Sequence, residues 1–276
     1  MQKTKIALVQ MQAILGRQKE NLEKIKMFVE EAAENETQII CFPELAAHGY
    51  KKASFGHIAQ EVSDIGQYFM QLADLHNIVI LVGIAEKARC QNPYITHLIA
   101  RPKKDLGVYR KTHLGSSEKP FFAQGEDLPV FTTDTSTIGV QICWDLHFPE
   151  VTTIMSLQGA EIIFAPHASP TIVGDRKKIW MKYLTARAYD NAVFVAACNL
   201  IGNNGSEQTF CGGCLVIDPR GNIVAEDFNG KESILYANLD DKIINTIRQK
   251  QGESMRHSFY LDSRRQDLYL RYLNKK

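Results

Sequence analysis

Short apolar runs alternate with segments of helical periodicity in the first part of the chain. Residues 6–9 and 39–42 are apolar runs bounded by polar residues, which is typical of buried strands. Between them, apolar residues recur at helical spacing, at Leu22, Ile25, Phe28, Val29 and Ala32. The pattern predicts a strand–helix–strand unit that ends next to Glu44.

The alternation repeats over the next seventy residues. A second helix is predicted to begin with Ser63 as its N-cap residue. Its inner face is predicted to consist of Ile65, Phe69, Leu72 and Leu75. A strand at 78–82 follows, and then two adjacent strands at 94–100 and 106–109. Lys111 therefore comes directly after a strand end.

The segment around Cys143 has the order of a nucleophile elbow. A strand at 138–142 runs into the cysteine, and a helix then begins near Pro149, which suits a first helical turn. Gly159 is predicted to be the C-cap residue of this helix. A strand–turn–helix of this kind exposes the reactive side chain at the end of the strand.

The rest of the chain continues the same pattern. We expect a helix centred on 180–188 and three strands, at 162–165, 193–197 and 234–237. A hairpin is expected to pair 214–217 with 223–226. A basic, Tyr-rich tail begins at about residue 248. We find no repeat, low-complexity tract or linker, so the α/β chain is predicted to form a single domain over residues 1–276.

Composition and charge exclude several classes of partner. The chain has 276 residues, of which 45% are hydrophobic, and its formal net charge is +1. Such a balance gives no overall attraction to nucleic acid or to a membrane surface. Neither a signal peptide nor an apolar run of about 18 to 20 residues is recognisable, so we expect a cytoplasmic protein. The motifs GxSxG, GxGxxG, HExxH and the Walker loop are absent from the sequence.

The cysteines predict neither a disulfide framework nor a metal site. Six cysteines are scattered through predicted strands, at positions 41, 90, 143, 198, 211 and 214. Cys211 and Cys214 have the spacing of half a zinc knuckle or of a redox dithiol, but no second such pair accompanies them. We therefore expect buried strand thiols, no metal and no organic cofactor.

Glu44, Lys111 and Cys143 supply the groups that a thiol hydrolase needs. A thiol attacks a carbonyl or nitrile carbon as the thiolate, and a nearby ammonium is expected to lower its pKa while a carboxylate accepts its proton. The Lys111 ammonium and the backbone N–H of Trp144 could then stabilise the oxyanion of the intermediate. The same carboxylate could protonate the leaving amine and later activate water.

A cysteine–histidine hydrolase is an alternative at this point. Histidine is the usual partner of a cysteine nucleophile, and four histidines lie near predicted strand ends: His48, His113, His147 and His167. Their spacing favours none of them.

Three segments, in this order, resemble the nitrilase superfamily of carbon–nitrogen hydrolases: FPE at 42–44, RKTHL at 110–114 and ICWD at 142–145. The resemblance implies a four-layer α-β-β-α sandwich. It also implies Glu44 as general base and acid, Lys111 as oxyanion stabiliser and Cys143 as nucleophile. Glu118 resembles a second active-site glutamate of the family, which would hold the ammonium in place or tune the base.

The residues after Cys143 bear on the substrate. The segment CWDLHFPE at 143–150 is similar to that of N-carbamoylputrescine amidohydrolases and related amidases, whereas true nitrilases tend to have Trp-Glu-Asn after the cysteine. An amide or N-carbamoyl substrate is therefore expected. Leu146 and His147 stand where relatives that bind carboxylates often have arginine, so a carboxylate clamp is absent from this loop. Carbamoylputrescine enzymes tend to have Gln-Trp there, which leaves specificity for an amine open.

The resemblance also suggests the pocket and the assembly. Trp144, His147, His167 and Ala168 are predicted to line the site of a small-molecule substrate. We expect a homodimer or a higher homo-oligomer that associates through the face bearing the nucleophile helix, with the C-terminal tail in the subunit contacts. Two alternatives stay open: hydrolysis of a nitrile at the same site, and a non-catalytic binding or regulatory protein. Intact Glu44, Lys111 and Cys143 argue against the second.

Overall fold

The computed structural model describes residues 1–51, 55, 58–89, 92–248 and 259–273. Its strands are β1 (Thr4–Gln10), β2 (Ile39–Cys41), β3 (Val79–Glu86), β4 (Tyr94–Ala100), β5 (Gly107–Arg110), β6 (Val130–Thr132), β7 (Thr137–Val140), β8 (Ile162–His167), β9 (Phe194–Asn199), β10 (Ile201–Asn203), β11 (Thr209–Cys211), β12 (Cys214–Ile217), β13 (Ile223–Asp227) and β14 (Ser233–Leu239). Its helices are α1 (Gln18–Glu34), α2 (Val62–His76), α3 (Pro149–Leu157), α4 (Arg176–Asn191), α5 (Asp241–Arg248) and α6 (Gln266–Leu273). Cys90 and part of the predicted tail, at 249–258 and 274–276, lie outside the described residues.

Two six-stranded sheets stack face to face. The first has the order β14-β1-β2-β3-β4-β5 and the second the order β13-β12-β9-β8-β7-β6. Apolar side chains from both sheets fill the space between them, and the Cys41 and Cys198 sulfurs approach to 3.9 Å across it. The strands of this core read as continuous apolar runs because both of their faces are covered.

Helices cover the outer face of each sheet. Ile25 and Val29 of α1 share an apolar cluster with Phe69 of α2 and with the outward residues of the first sheet. Met155 of α3 and Trp180 of α4 belong to the apolar core of the second sheet. The predicted four-layer α-β-β-α sandwich is confirmed. None of the helices in the described ranges is both long and apolar enough to cross a lipid bilayer.

Two details of the predicted α2 are wrong. The helix begins at Val62, with Glu61 in the N-cap position and no side-chain cap, so Ser63 already lies in the first turn. Gln60 forms a bridge with Glu86 at the end of β3, so the helix begins only after this pairing. Leu75 is 74% exposed because the buried stripe passes from Leu72 to the adjacent residue, Ala73.

The end of α3 differs slightly from the prediction. The helix ends at Leu157, Gln158 takes the C-cap position, and Gly159 follows with a φ of +100°. A glycine suits this place because a left-handed φ strains other residues. Gly159 therefore follows the C-cap residue, whereas the sequence predicted it as the C-cap residue itself.

The topology brings several strand ends to one edge of the sandwich. β2 and β3 are parallel, and β4 is antiparallel to both β3 and β5, so that β5 runs in the direction of β2. In the second sheet β7, β8 and β9 are parallel. The residues that follow β2, β5, β7 and β8 carry the predicted site.

Candidate active site

A buried ammonium between two carboxylates forms the centre of the site. Lys111 Nζ donates hydrogen bonds to Glu44 Oε1 at 2.8 Å and to both oxygens of Glu118, at 2.8 and 3.0 Å. All three residues are at most 5% exposed. Isolated charges would be very costly there, so the three side chains stabilise one another as a group.

The turn after β2 positions Glu44. The Phe42 N–H donates to the Leu81 carbonyl at 2.8 Å, which keeps the chain on β3 until Pro43. A Cβ atom added to Gly83 of β3 would lie only 2.3 Å from the Leu45 backbone nitrogen. A glycine is thus required for the turn to pack on the strand and direct Glu44 toward Lys111.

Glu118 is held by its own loop and by a tyrosine. The Gly115 N–H donates to Glu118 Oε2 at 2.8 Å, and the Tyr50 hydroxyl donates to Oε1 at 2.7 Å. Tyr50 is buried and lines the same cavity. The sequence did not indicate Tyr50, because a lone tyrosine after a predicted strand has no distinctive spacing.

Cys143 sits on a sharp turn between strand and helix. Its φ is +46°, and a 3-10 helix at Cys143–His147 follows directly before α3. A left-handed conformation is uncommon for a non-glycine residue and is often found at functional sites. The predicted strand–turn–helix order is present, with the strand itself ending at Val140.

Asp145 ties the cysteine turn to the lysine segment. Its fully buried carboxylate accepts hydrogen bonds from the Ile142 N–H, the Tyr109 hydroxyl, the Thr112 hydroxyl and the His113 N–H, at 2.7 to 3.0 Å. The sequence showed Asp145 only as part of a motif. Its role is to fix the register of Cys143 against the segment that follows β5.

The thiol of Cys143 is not activated in the way that the sequence suggested. Burial raises its pKa to about 12, and the charge of Glu44 adds to this effect more than the charge of Lys111 opposes it. The Lys111 ammonium does lower this pKa, as expected, but burial and the charges of Glu44 and Glu118 outweigh its effect. With this pKa the thiol of Cys143 is neutral near pH 7, and it would require a base in order to react as a thiolate.

Glu44 has the properties of that base. Burial raises its pKa to about 7, the charge of Lys111 lowers it, and the charge of Glu118 raises it further. Glu44 Oε1 is held by Lys111, whereas Oε2 is buried and has no hydrogen-bond partner among the described residues. Burial alone would lower the pKa of Lys111, but the two carboxylates outweigh it and raise that pKa above its ordinary value.

Two histidines near the site have no free nitrogen for a proton transfer. His167 Nδ1 lies 2.8 Å from the Ala165 carbonyl, and its Nε2 accepts a hydrogen bond from Trp180 Nε1 at 3.2 Å. His48 Nδ1 accepts from the Ala85 N–H, and burial lowers the pKa of this imidazole to about 4. Neither can serve Cys143 as a base.

The other two histidines have structural neighbours as well. His147 lies between the rings of Trp144 and Tyr183, at centroid distances of 4.7 and 4.9 Å. His113 Nδ1 is 3.3 Å from Asp145 Oδ1. In the described structure the hydrogen bonds of the Cys143 sulfur include no histidine, and its polar neighbour is Ser169 Oγ at 3.9 Å. The geometry favours Glu44 over a cysteine–histidine pair.

A cavity of about 380 Å³ opens onto this cluster. Of the residues predicted from the sequence, it is lined by Lys111, Glu118, Cys143, Trp144, His147, His167 and Ala168. Glu44 contacts Lys111 from the buried side. Residues that the sequence did not indicate also line the cavity, among them Tyr50, Ser169, Arg176 and Tyr183.

Cys211 and Cys214 point to different neighbours. The sulfur of Cys211 lies 3.5 Å from the Ser169 carbonyl, and that of Cys214 lies 3.6 Å from the Leu8 carbonyl. Within the described ranges, no group of three or more His, Cys, Asp or Glu side chains is arranged to hold a metal ion.

Comparison with known proteins identifies the class. A model of the carbon-nitrogen hydrolase family matches residues 5–249. The chain therefore belongs to the carbon-nitrogen hydrolase family and is an enzyme of that class.

Several relatives match over most of their length. The chain is 32% identical to "Probable nitrilase C965.09" of Schizosaccharomyces pombe, covering 99% of both chains. It is 30% identical to omega-amidase NIT3 of Saccharomyces cerevisiae over 90% of this chain and 91% of that protein, and 36% identical to N-carbamoylputrescine amidase of Arabidopsis thaliana over 72% and 70%. The crystal structure of Saccharomyces cerevisiae Nit3 superposes with a TM-score of 0.81 at 30% identity, covering 93% and 97%. These likenesses support hydrolysis of amide carbon–nitrogen bonds and do not favour nitriles.

Proposed function

We propose that the protein hydrolyses a small linear amide or N-carbamoyl amine and releases ammonia through an acyl-thioester on Cys143. The observation that carries this proposal is the buried Glu44–Lys111–Glu118 group beside Cys143, in which Glu44 keeps one oxygen without a hydrogen-bond partner among the described residues. This arrangement supplies a nucleophile, a base and a positive charge at one end of a cavity.

In the first half-reaction, Glu44 accepts the proton of Cys143 while the sulfur attacks the carbonyl carbon. The negative charge that would have formed on the sulfur passes to the substrate oxygen. There it meets the Lys111 ammonium and the N–H of Trp144, which lies in the first turn of the 3-10 helix and has no intrahelical acceptor. Each such donor typically lowers the barrier by about 3 to 4 kcal/mol.

In the second step, Glu44 returns the proton to the leaving nitrogen, the carbon–nitrogen bond breaks, and ammonia departs. Water then takes its place, and Glu44 accepts a proton from the water as its oxygen attacks the thioester carbon. Cys143 leaves with that proton, and the product is a carboxylate or, for an N-carbamoyl amine, a carbamate. One base with a pKa of about 7 can serve both half-reactions near neutral pH.

Glu118 acts through Lys111 as a positioning residue. Both of its oxygens accept hydrogen bonds from the ammonium, while Tyr50 and Gly115 donate to the same carboxylate. Lys111 is therefore held even when Glu44 is protonated during the reaction. The charge of Glu118 also contributes to the raised pKa of Glu44.

Ammonia release from a panel of substrates tests the proposal. We expect turnover of aliphatic amides or N-carbamoyl amines, with the corresponding nitriles turned over more slowly or not at all. Cys143→Ala should abolish turnover, whereas Cys211→Ala, at a second half-buried thiol, should retain it. If no substrate releases ammonia and iodoacetamide does not label Cys143, the proposed function is wrong.

We also propose a homo-oligomer located in the cytoplasm. Large apolar side chains are exposed on α3 and α4, including Ile154, Leu157 and Tyr189, and a second copy could cover them. Reduced thiols in the core, such as Cys41 and Cys198, suit a reducing compartment. Light scattering should give at least twice the 31.2 kDa chain mass, and a monomer would contradict this part of the proposal.

A further inference from the structure

Arg176 is a buried cation that the proposed chemistry does not use. It is the first residue of α4, it is 6% exposed, and it lines the cavity that contains Cys143. Its guanidinium lies over the ring of Trp180, with the central carbon 5.8 Å from the ring centroid. Arginine is rarely buried to this extent without a partner of opposite charge.

The buried edge of this guanidinium has no acceptor. Nε and Nη2 are both buried without a hydrogen-bond partner among the described residues. No ion pair in the described part of the chain includes Arg176. Unsatisfied buried donors of a charged group are costly, so they call for a partner such as an ordered water, an ion or a ligand.

The groups packed around Arg176 do not neutralise it. His147 and His167 face it, and its charge contributes to lowering the pKa of both imidazoles below the ordinary value, after the larger effect of burial and, for His147, that of Arg187. The Tyr183 hydroxyl also interacts with the guanidinium by a side-chain hydrogen bond, but it carries no opposite charge. The carboxylate of the preceding residue, Asp175, is turned away, since it caps α4 by accepting a hydrogen bond from the Lys178 N–H and pairs with that lysine.

We propose that Arg176 binds a carboxylate at the end of the substrate remote from the scissile bond, so that the substrate is a monoamide or N-carbamoyl compound that carries a free carboxylate. Nε and Nη2 share one edge of the guanidinium plane and can donate two parallel hydrogen bonds to the two carboxylate oxygens. This inference rests on the proposed function, because Cys143 must act at the other end of the same molecule.

The same geometry disfavours a substrate with a free ammonium group. Such a group would enter the cavity near an unneutralised guanidinium, and like charges at short range repel strongly in a partly desolvated site. The loop at Leu146 and His147 lacks an arginine, so that α4 supplies the cation from a different direction. The chain would then differ in specificity from the N-carbamoylputrescine amidase that it resembles.

Three matched amides test this assignment with the full chain: glutaramate, the neutral diamide of the same length, and 5-aminopentanamide. Steady-state ammonia release gives kcat/KM for each. We expect wild-type protein to prefer glutaramate over the diamide by tenfold or more, with the cationic amide last. Arg176→Gln should reduce the ratio between glutaramate and diamide by about ten- to a hundredfold, mainly through KM, since hydrogen bonds to charged groups are worth this much.

Lys177→Gln is the matched control, because Lys177 is the next residue of α4 but is 43% exposed and pairs with Glu226 on the surface. In Lys177→Gln, the ratio of kcat/KM for glutaramate to kcat/KM for the diamide should equal that of wild-type protein. Arg176→Lys should give an intermediate ratio, since a point charge remains without the fork. An unchanged ratio in Arg176→Gln, or a wild-type preference for the neutral or cationic amide, would overturn the assignment.

A binding measurement separates this inference from the proposed function. Calorimetry with Cys143→Ala should show tighter binding of glutaramate than of the diamide, and it needs neither turnover nor a folded Arg176 variant. Turnover of all three amides without a preference would refute the carboxylate site alone. No turnover by wild-type protein would refute the proposed function, and equal binding by Cys143→Ala would then refute the carboxylate site as well.

Discussion

Lowering the pH should switch off acylation through Glu44, and the size of the effect follows from the burial of this residue. Its pKa lies at about 7 instead of 4.5. The reaction requires the carboxylate form, so kcat/KM should fall as pH decreases through 7. With a pKa of about 7, roughly 1% of Glu44 is ionised at pH 5, whereas an ordinary glutamate would remain mostly ionised there.

The predicted loss between pH 8 and pH 5 is therefore about a hundredfold, against less than twofold for an unperturbed carboxyl group. The assay is the initial rate of ammonia release from a neutral amide, so that the substrate itself does not titrate, with each stopped sample analysed at one fixed pH. Protein held at pH 5 and returned to pH 8 should recover its full rate, which excludes denaturation. A break below about pH 5.5 would refute the assignment of Glu44 as base.

A substitution of Glu118 tests the direction in which the pKa of Glu44 moves. Glu118 contributes to the raised pKa of Glu44, so Glu118→Gln should move the break in kcat/KM to lower pH while it also reduces kcat. Glu126→Gln changes an exposed carboxylate on the loop that follows and should leave the break in place. A break that moves to higher pH in Glu118→Gln would contradict the charge arrangement described above.

Three further substitutions probe the scaffold and the oxyanion site. Lys111→Met should reduce kcat by about a hundred- to a thousandfold. An increase in KM with kcat unchanged would contradict the role of Lys111 in stabilising the oxyanion. Asp145→Asn should lower kcat, and it should lower the free energy of unfolding by about 3 kcal/mol in urea titrations. The reason is that this one carboxylate accepts hydrogen bonds from four donors. A variant as stable and as active as wild-type protein would contradict this. Gly83→Ala should reduce kcat by moving the turn that carries Glu44, whereas Leu75→Ser, at an exposed position, should change neither stability nor rate.

Periodicity was sufficient to predict the layers of the sandwich. The strands around Ile40, Ile80 and Ile163 are apolar on both faces, and α1 shows its buried stripe directly in the sequence. Short elements were missed: β6, β10 and β11 have three residues each, and α5 and α6 have eight. Runs this short carry too few repeats for a period to be recognised.

Motif position located the reactive groups, but it did not give their electrostatics. The neutral state of Cys143 depends on its burial and then on the charges of two carboxylates from separate loops, and a sequence shows neither. Tyr50 and Arg176 were missed for the same reason, since each acquires its meaning only from neighbours that are distant along the chain. The single domain over residues 1–276 and the role of the tail in subunit contacts stay predictions.

Mass spectrometry of the acid-quenched enzyme is the most direct test of whether an acyl group forms on Cys143. Within the first turnover of a slow amide, we expect one acyl group on the protein, located at Cys143 by peptide mapping, together with one equivalent of ammonia. The adduct should be absent from Cys143→Ala. Steady turnover with no covalent adduct, or an adduct on Cys211 in place of Cys143, would show that Cys143 is not the nucleophile.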